Sequence, residues 1–266
     1  MMKGILADTT RCIGCRGCQV ACKQQHDLDA QKTLFFWGDG YQNPPHRTAE
    51  TWNLVTFNDA RSENGYEWVF GRRQCFHCME PACVAACPVE ALKKTPEGPV
   101  VYDTSRCIGC RYCQIVCPFN APRFEWNKRV PEIRKCNMCA DRMARGEHPA
   151  CTVTCATGAL LFGDRKALLA EAWTRIKKDP DRYVNHIYGE NEVGGTCVLH
   201  LAKVPFERIG YPAGLSDAPF PNQIKTAMHA IPYAMTAMAA VFGGLAWIIN
   251  RRMSAEEKDG QEENDS

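Results

Sequence analysis

Residues 107–118 read Cys107-Ile-Gly-Cys-Arg-Tyr-Cys-Gln-Ile-Val-Cys-Pro118, so four cysteines stand in the spacing C-x2-C-x2-C-x3-C-P. The first three thiolates come from one tight loop and surround one face of a compact centre, while the fourth is carried away from it. A [4Fe–4S] cubane takes one thiolate for each of its four irons, and in runs of this spacing the fourth cysteine binds a neighbouring cluster. The stretch therefore predicts two clusters that exchange ligands.

Cysteine groups of this kind occur four times along the chain. Residues 8–22 repeat residues 103–117 in register, from Asp-Thr through all four cysteines. The group that begins at Cys75 has two extra residues before its third cysteine and ends in Cys-Pro. In the group that begins at Cys136, eleven residues separate the second cysteine from the third. The groups are Cys12, Cys15, Cys18 and Cys22; Cys75, Cys78, Cys83 and Cys87; Cys107, Cys110, Cys113 and Cys117; and Cys136, Cys139, Cys151 and Cys155.

These groups contain all but one of the 17 cysteines in 266 residues, and such clustering indicates a supply of ligands rather than scattered core thiols. Small disulfide-stapled secreted domains are much shorter, and disulfides would be strained at these separations. A four-cysteine zinc site takes two separate Cys-x2-Cys pairs and does not use a third cysteine that closely follows one of the pairs. The fourth group lacks that close third cysteine, so taken alone it is also compatible with zinc. Sixteen ligands favour four complete [4Fe–4S] clusters.

The pairing of the groups is predicted from their order in the chain. The adjacent second and third groups form one two-cluster unit and exchange their last cysteines; the first and fourth groups enclose that unit and do the same. The predicted ligands are Cys12, Cys15, Cys18 and Cys155 for cluster 1; Cys136, Cys139, Cys151 and Cys22 for cluster 2; Cys75, Cys78, Cys83 and Cys117 for cluster 3; and Cys107, Cys110, Cys113 and Cys87 for cluster 4.

Other residues near the groups are predicted to have structural or electrostatic roles. Cys197 lies in an apolar, strand-like stretch and is predicted to be a buried core thiol. His77 and His148 are expected to pack or hydrogen-bond beside clusters, because the cysteines already complete the ligand sets. Five basic residues are expected to be solvated and to offset part of the cluster charge, which raises reduction potentials. They are Arg11, Arg16, Arg106, Arg111 and Lys135.

The sequence predicts an α+β fold: two bacterial-ferredoxin-like two-cluster modules with loop insertions and short flanking strands, followed by one transmembrane helix. Thr51–Phe57 alternates like a strand, residues 99–102 and 160–162 are short apolar strands, and Asp164 caps a helix running to about Lys178. The predicted segments are 1–70, which pairs with 130–163; 71–129, the second module; 164–225, a helix and loop-rich extension; 226–250, the transmembrane helix; and 251–266, a polar tail.

Residues 226–250 contain no Asp, Glu, Lys or Arg, and such a run is long enough for a bilayer core that needs about 20 residues. Tyr233 and Trp247 lie near its ends, where interfacial aromatic residues are common. Small residues offer a face for close packing on a partner helix. These are Ala237, Ala240, Gly243 and Gly244. A buried or peripheral helix is the alternative interpretation.

The charges around this run predict its orientation. Arg251, Arg252 and Lys258 follow it, whereas Lys225 stands nearly alone before it, so the positive-inside rule places the tail in the cytoplasm and the cluster domain in the periplasm. No apolar signal region or twin-arginine pair precedes Cys12, and export would therefore depend on a signal-bearing partner. A cytoplasm-facing cluster domain is the rival orientation.

Motifs for other chemistry are absent from the sequence. It contains no G-x-G-x-x-G after a strand, no Walker loop and no G-x-S-x-G. The formal net charge of +2 gives no argument for nucleic-acid binding. Clusters without a substrate site indicate electron transfer.

The chain resembles the iron–sulfur beta subunits of membrane-bound molybdopterin oxidoreductases, above all that of respiratory formate dehydrogenase, over nearly its whole length. Ile187–Glu192 and Val204–Arg208 also resemble the version associated with nickel–iron hydrogenases, while the missing proline after Cys155 and the short N-terminus depart from the pattern. The motifs that carry the resemblance are the first cysteine group, Asn43-Pro-Pro, Thr51-Trp, Lys135-Cys-Asn-Met-Cys-Ala-Asp-Arg142, Pro149-Ala-Cys-Thr-Val-Thr-Cys-Ala-Thr-Gly-Ala159, Phe162-Gly163 and Val193-Gly-Gly-Thr196.

The resemblance implies a relay without a catalytic site of its own. Electrons would leave formate at a molybdopterin or tungstopterin centre in a large catalytic subunit, cross four [4Fe–4S] clusters in this chain, and reach a cytochrome b membrane subunit that reduces quinone. The alternatives are the same relay in a membrane-bound nickel–iron hydrogenase, a soluble polyferredoxin, and a structural zinc protein.

Overall fold

The structure is a computed structural model that describes residues 1–34, 41–62, 65–126, 128–129, 131–221 and 233–252. The chain divides into two units, Met1–Pro221 and Asn222–Ser266. All predicted ligand cysteines lie in the first unit. Its helices and strands are β1 (Lys3–Asp8), α1 (Gly17–Gln25), β2 (Leu54–Ser62), β3 (Gly65–Arg73), α2 (Ala82–Ala85), β4 (Leu92–Lys94), β5 (Val100–Tyr102), α3 (Tyr112–Ile115), β6 (Arg123–Phe124), β7 (Ile133–Arg134), α4 (Ala140–Ala144), α5 (Ala150–Val153), β8 (Leu160–Asp164), α6 (Arg165–Lys178) and β9 (Val198–Leu201).

The N-terminal strand β1 is the centre of a three-stranded sheet in the order β8-β1-β9. It pairs antiparallel with β8, with Ala7 opposite Leu160, and parallel with β9. Ile5 and Leu6 point to opposite faces of the strand and both are buried, as expected of a strand covered on both sides. This pairing joins the segment before the first cysteine group to the segment after the fourth.

The sequence repeat produces the same local structure twice. Asp8 accepts a hydrogen bond from the Thr10 amide at 3.0 Å, and Asp103 accepts one from the Ser105 amide at 3.0 Å. Each aspartate thereby caps a short 3-10 turn that leads into a cysteine loop. The two cysteine loops begin with the same backbone geometry because the capping residue is the same.

Four predicted elements, one helix and three strands, are tested by the structure. Asp164 caps α6 as predicted, since its carboxylate accepts from the Lys166 amide at 3.0 Å and the helix ends at Lys178. The strands predicted at 99–102 and 160–162 are β5 and β8. The strand predicted from Thr51 begins only at Leu54, where it pairs with β3 as a hairpin. The mixture of helices and sheets confirms the α+β class.

Apolar side chains at helical spacing hold α6 against the three-stranded sheet. Leu168, Ala172 and Ile176 are buried and pack in one core cluster with Leu6 and Leu199. Positions i, i+4 and i+8 fall on one face of a helix, so the pattern specifies which side of α6 faces the core. A fully buried leucine contributes about 1.5–3 kcal/mol.

Aromatic residues next to the cysteines position the second and third groups against each other. Phe76 follows Cys75, Phe119 lies two residues after Cys117, and the two rings stack at 4.1 Å between centroids. Both rings belong to a core cluster that also contains Tyr188. The stacking brings the start of one group beside the end of the other.

The second unit contains one long apolar helix, α7 (Tyr233–Arg252), whose side chains are exposed along its length. Its 20 residues are enough to cross a bilayer core, and within the described ranges it is the one helix long and apolar enough to do so. Residues 226–232 of the predicted helix lie outside the described residues, as do 253–266 of the predicted tail. Arg251 and Arg252, predicted to belong to the tail, continue the helix.

Candidate iron–sulfur centres

In all four cysteine groups, the residue directly before the second cysteine has a left-handed backbone. The φ angles are +67° at Gly14, +50° at His77, +71° at Gly109 and +57° at Met138. This conformation reverses the chain between the first two cysteines, and glycine adopts it without steric cost. Histidine and methionine adopt it in the groups where no glycine is present, at a cost that the surrounding structure must offset.

The reversed chain directs backbone amides at the sulfur atoms. The Gly109 amide donates to Cys107 Sγ at 3.4 Å, and the Met138 amide donates to Cys136 Sγ at 3.3 Å. Such hydrogen bonds stabilise negative charge on a cluster sulfur and raise the reduction potential of the cluster. The loops are therefore shaped to surround an anionic centre.

The two Cys-Pro steps have a second hydrogen-bonding pattern in common. The Ala91 amide donates to Cys87 Sγ at 3.2 Å, and the Ala121 amide donates to Cys117 Sγ at 3.3 Å. In each case the proline has no N–H and stops the backbone from continuing as a helix. The backbone then turns, and the amide four residues after each cysteine points back at its thiol.

The first and fourth cysteine groups, which are the outer groups in chain order, come together in the two ligand sets predicted for them. One cavity is lined by Cys12, Cys15, Cys18 and Cys155, the four residues predicted for cluster 1. Cys22 interacts electrostatically with the other three residues predicted for cluster 2, which are Cys136, Cys139 and Cys151, and with Arg72. The last cysteine of each group thus lies with the first three of the other.

The inner groups meet in the same way. A second cavity is lined by Cys87, Cys107, Cys110 and Cys113, the residues predicted for cluster 4. In the remaining set, Cys78 interacts electrostatically with Cys75, Cys83 and Cys117, the other three residues predicted for cluster 3, and with Lys94. The structure therefore brings each predicted ligand set together.

The four sets also adjoin one another in a definite order. Cys18 of the first set is a charged neighbour of Cys151 in the second. Cys136 of the second set is a neighbour of Cys75 in the third. The link between the last two sets is formed by Cys83 and Cys113.

Burial disfavours the ionised form of several of the thiols. Burial, followed by the charge of neighbouring thiolates, raises the pKa of Cys83 and Cys136 to about 12, and likewise raises the pKa of Cys139 to about 11 with Cys151 beside it. Iron bound to these sulfurs replaces the protons and removes the repulsion. Cysteines that are buried and crowded in this manner fit a metal cluster, which takes them as thiolates.

The histidines take the roles predicted for them, and one was missed. His77 is buried and its Nδ1 accepts from the Val100 amide at 2.9 Å, while the His148 ring packs beside Phe162 at 5.1 Å. His26, which no motif marks, places Nε2 3.6 Å from Cys139 Sγ. Only the tertiary structure brings His26 to that thiol, because 113 residues separate them.

The prediction that Lys135 is solvated is wrong. Its side chain is buried, and its ammonium donates to the carbonyls of Val100 and Cys136. Two carbonyl acceptors replace the water that the ammonium loses, which is why the charge is tolerated there. Cys197 is buried, as predicted, and its Sγ accepts from Lys94 at 3.2 Å.

Comparison with known proteins agrees with this geometry. Two sequence families, each described as a 4Fe-4S dicluster domain, match residues 11–91 and 66–165. The fold and cysteine sets thus define a ferredoxin-like electron carrier.

Similar proteins cover almost the whole chain. A protein of Nitratidesulfovibrio vulgaris is 40% identical over 259 residues, covering 96% of this chain and 69% of its own. The nitrate-inducible formate dehydrogenase iron-sulfur subunit of Escherichia coli is 34% identical over 269 residues, covering 97% and 89%. The hydrogenase-2 operon protein HybA of Escherichia coli O157:H7 is 32% identical over 296 residues, covering 99% and 88%.

This chain belongs to the family of iron–sulfur subunits that includes those of formate dehydrogenase. It carries four [4Fe–4S] clusters and transfers electrons through them. When bound, a cubane supplies a one-electron redox couple; the chain itself supplies the thiolates, the amide hydrogen bonds and the buried surroundings.

Proposed function

We propose that this chain relays electrons from a large molybdopterin or tungstopterin catalytic subunit of the formate dehydrogenase type to a cytochrome b membrane subunit and the quinone pool. The observation that carries the proposal is the contiguous series of four thiol sets, because a series of cofactors that adjoin one another is what a relay across a subunit requires. The formate dehydrogenase subunits that match nearly the full chain support this choice of donor.

Each cluster in this proposal takes three cysteines from one group and the last cysteine of its partner group, as in the ligand sets predicted above. The two cavities lined by crossed sets support the assignment of clusters 1 and 4. The charged neighbours of Cys22 and Cys78 support that of clusters 2 and 3. The contacts between sets support the relay order 1, 2, 3 and 4. The same pairing defines the two modules, 1–70 with 130–163 and 71–129.

The proposed site of action is the cytoplasmic membrane, with α7 as a single anchor in the lipid bilayer. The exposed apolar surface of α7 supports anchoring. The excess of basic residues after the helix supports a periplasmic cluster domain, exported with a signal-bearing catalytic partner. Protease access to the tail in spheroplasts and in inverted vesicles distinguishes the two orientations.

A membrane-bound nickel–iron hydrogenase is the second candidate donor, because HybA matches 99% of this chain. Purification of the tagged full-length chain from native membranes under anaerobic conditions tests both. We expect a large molybdenum- or tungsten-containing subunit and a cytochrome b in the complex. Nickel in the large subunit would assign the relay to a hydrogenase, and a chain recovered alone from the aqueous fraction with its clusters would overturn the proposal.

A further inference from the structure

Arg72 is a buried cation surrounded by ligands of two different clusters. It lies near the end of β3, where Val55 of β2 is its pairing partner, and is only 5% exposed. The Tyr211 hydroxyl accepts from its amide at 3.1 Å and donates to its carbonyl at 2.7 Å. Its backbone is therefore fixed from both sides.

The guanidinium is only partly used in hydrogen bonds. Nε donates to Asn53 Oδ1 at 2.9 Å, and Asn53 Nδ2 donates in turn to the Cys18 carbonyl at 2.9 Å. Nη1 and Nη2 are buried and have no hydrogen-bond partner among the described residues. Across the same ranges, no carboxylate forms an ion pair with Arg72.

The negative charges around Arg72 come from cysteines. Burial lowers the pKa of Arg72, but the thiolates of Cys151, Cys18, Cys136 and Cys22 outweigh burial and raise the pKa above its ordinary value. Cys18 belongs to the proposed cluster 1, and the other three belong to cluster 2. Arg72 also lines the cavity of the cluster 1 ligands.

We infer that Arg72 is a positioning residue that compensates the charge of clusters 1 and 2 together and raises both of their reduction potentials. The inference rests on the ligand sets proposed above. An unpaired charge is costly to bury, so this guanidinium is stable only beside anions. Each electron that enters a cluster adds one negative charge, and a fixed positive charge nearby stabilises the reduced form more than the oxidised form.

Redox titration of the full-length protein, followed by EPR, tests the inference. In Arg72→Gln the oxidised-to-reduced ratio of clusters 1 and 2 should rise by about tenfold at a given potential, which lowers each midpoint potential by about 59 mV for a one-electron couple. Arg72→Lys keeps the charge and should recover most of the loss. The signals of clusters 1 and 2 are identified by their loss in Cys155→Ser and Cys22→Ser.

Arg73→Gln is the matched control. Arg73 is the adjacent residue on the same strand, yet its guanidinium donates to the Ile209 carbonyl at 3.0 Å and lies over the Tyr211 ring. The ionisable side chains that act on its pKa are those of Tyr211 and Tyr188 rather than cysteines. We expect unchanged potentials for all four clusters in this variant.

Iron content separates the possible outcomes. The inference is overturned if Arg72→Gln retains about sixteen irons per chain and the reduction potentials of its clusters are unchanged. A shift in reduction potential that is confined to clusters 3 and 4 also overturns it. If Arg72→Gln fails to assemble clusters 1 and 2, assembly in Arg72→Lys supports a need for positive charge, and equal failure in both variants overturns it. A wild-type chain with fewer than four clusters would refute the proposed ligand sets instead.

Discussion

The carboxylate of Asp8 lies 2.8 Å from the guanidinium of Arg175, which links the end of β1 to α6. Asp8 is 1% exposed and also accepts a hydrogen bond from the Tyr183 hydroxyl at 2.9 Å. Its other oxygen caps the turn that leads into the first cysteine loop. Asp103, at the matching position of the repeat, has the capping hydrogen bond but is exposed.

Asp8→Ala should destabilise the protein far more than Asp103→Ala. Removal of the Asp8 carboxylate leaves Arg175 with only the half-exposed Glu171 as an ion-pair partner and leaves the Tyr183 hydroxyl without its acceptor, a loss of about 1–3 kcal/mol. In a domain of this size that lowers the midpoint of thermal unfolding by roughly 2–12 °C. Calorimetry of the cluster-loaded variants measures it, and equal midpoints for the two variants would contradict the role of the ion pair.

Gly14→Ala should damage cluster 1 more than Gly109→Ala damages cluster 4. Both glycines have positive φ angles, so alanine is strained at either position by about 1–2 kcal/mol. A methyl group on Gly14 would additionally lie 2.7 Å from the Phe70 ring, whereas one on Gly109 would lie 3.8 Å from Phe124. Iron content and EPR of the two variants provide the comparison; equal cluster loss would show that strain alone decides.

The crossed ligand sets predict which cysteine substitutions share a phenotype. Cys155→Ser should remove the same EPR signal as Cys12→Ser, and Cys22→Ser the same signal as Cys136→Ser, because each pair ligates one cluster. If every group bound its own cluster, Cys155→Ser would instead match Cys136→Ser. Cys197→Ser is the control and should leave all four signals in place.

The pair of His186 and Glu192 should stabilise the fold most in mildly acidic solution. His186 Nε2 lies 2.7 Å from Glu192 Oε1, and this hydrogen bond raises the pKa of His186 above its ordinary 6.5. The pKa of Glu192 falls below its ordinary 4.5, because burial, which raises it, is outweighed by hydrogen bonds from His186 and the Gly189 amide. The stabilisation is complete from about pH 4.5 to 6.5 and is lost as pH rises through the pKa of folded His186.

His186→Gln should therefore cost more stability at pH 6 than at pH 8. The histidine is half-exposed, so the difference should be at most about 1 kcal/mol. Unfolding of wild type and variant at both pH values measures the difference. An equal loss of stability at both pH values would mean that the charge of the imidazolium contributes nothing. In a Glu192→Gln background, the effect of His186→Gln on stability should no longer depend on pH.

A chain that ends at Pro221 should stay in the aqueous phase with its clusters intact. Met1–Pro221 forms one of the two units and contains every cysteine. The exposed apolar side chains of α7 need lipid or detergent, and their removal eliminates that need. Ultracentrifugation of native membranes and iron analysis check both points; clusters lost on truncation would show that assembly depends on the anchor.

Several features of this protein were determined by local sequence. In the first and third cysteine groups the spacing predicts three ligands from one loop, because loops of two intervening residues keep the three thiols on one face of a cluster. Asp164 before an apolar pattern defines the start of α6, and an uncharged run defines α7. Each of these depends on contacts between residues close in the chain, where geometry follows from residue type and spacing.

Burial and long-range neighbours were decided by the tertiary structure alone. Arg72 and Arg73 are consecutive arginines, and nothing in the sequence distinguishes them. Pairing of β3 with β2 directs successive side chains to opposite faces, so that one guanidinium enters the thiol sets and the other covers Tyr211. Pairing of β1 with β8 likewise brings Cys155 to the same cavity as Cys12. The register of the two strands sets this approach, and neither cysteine belongs to the strands, so the spacing of the cysteines could not reveal it.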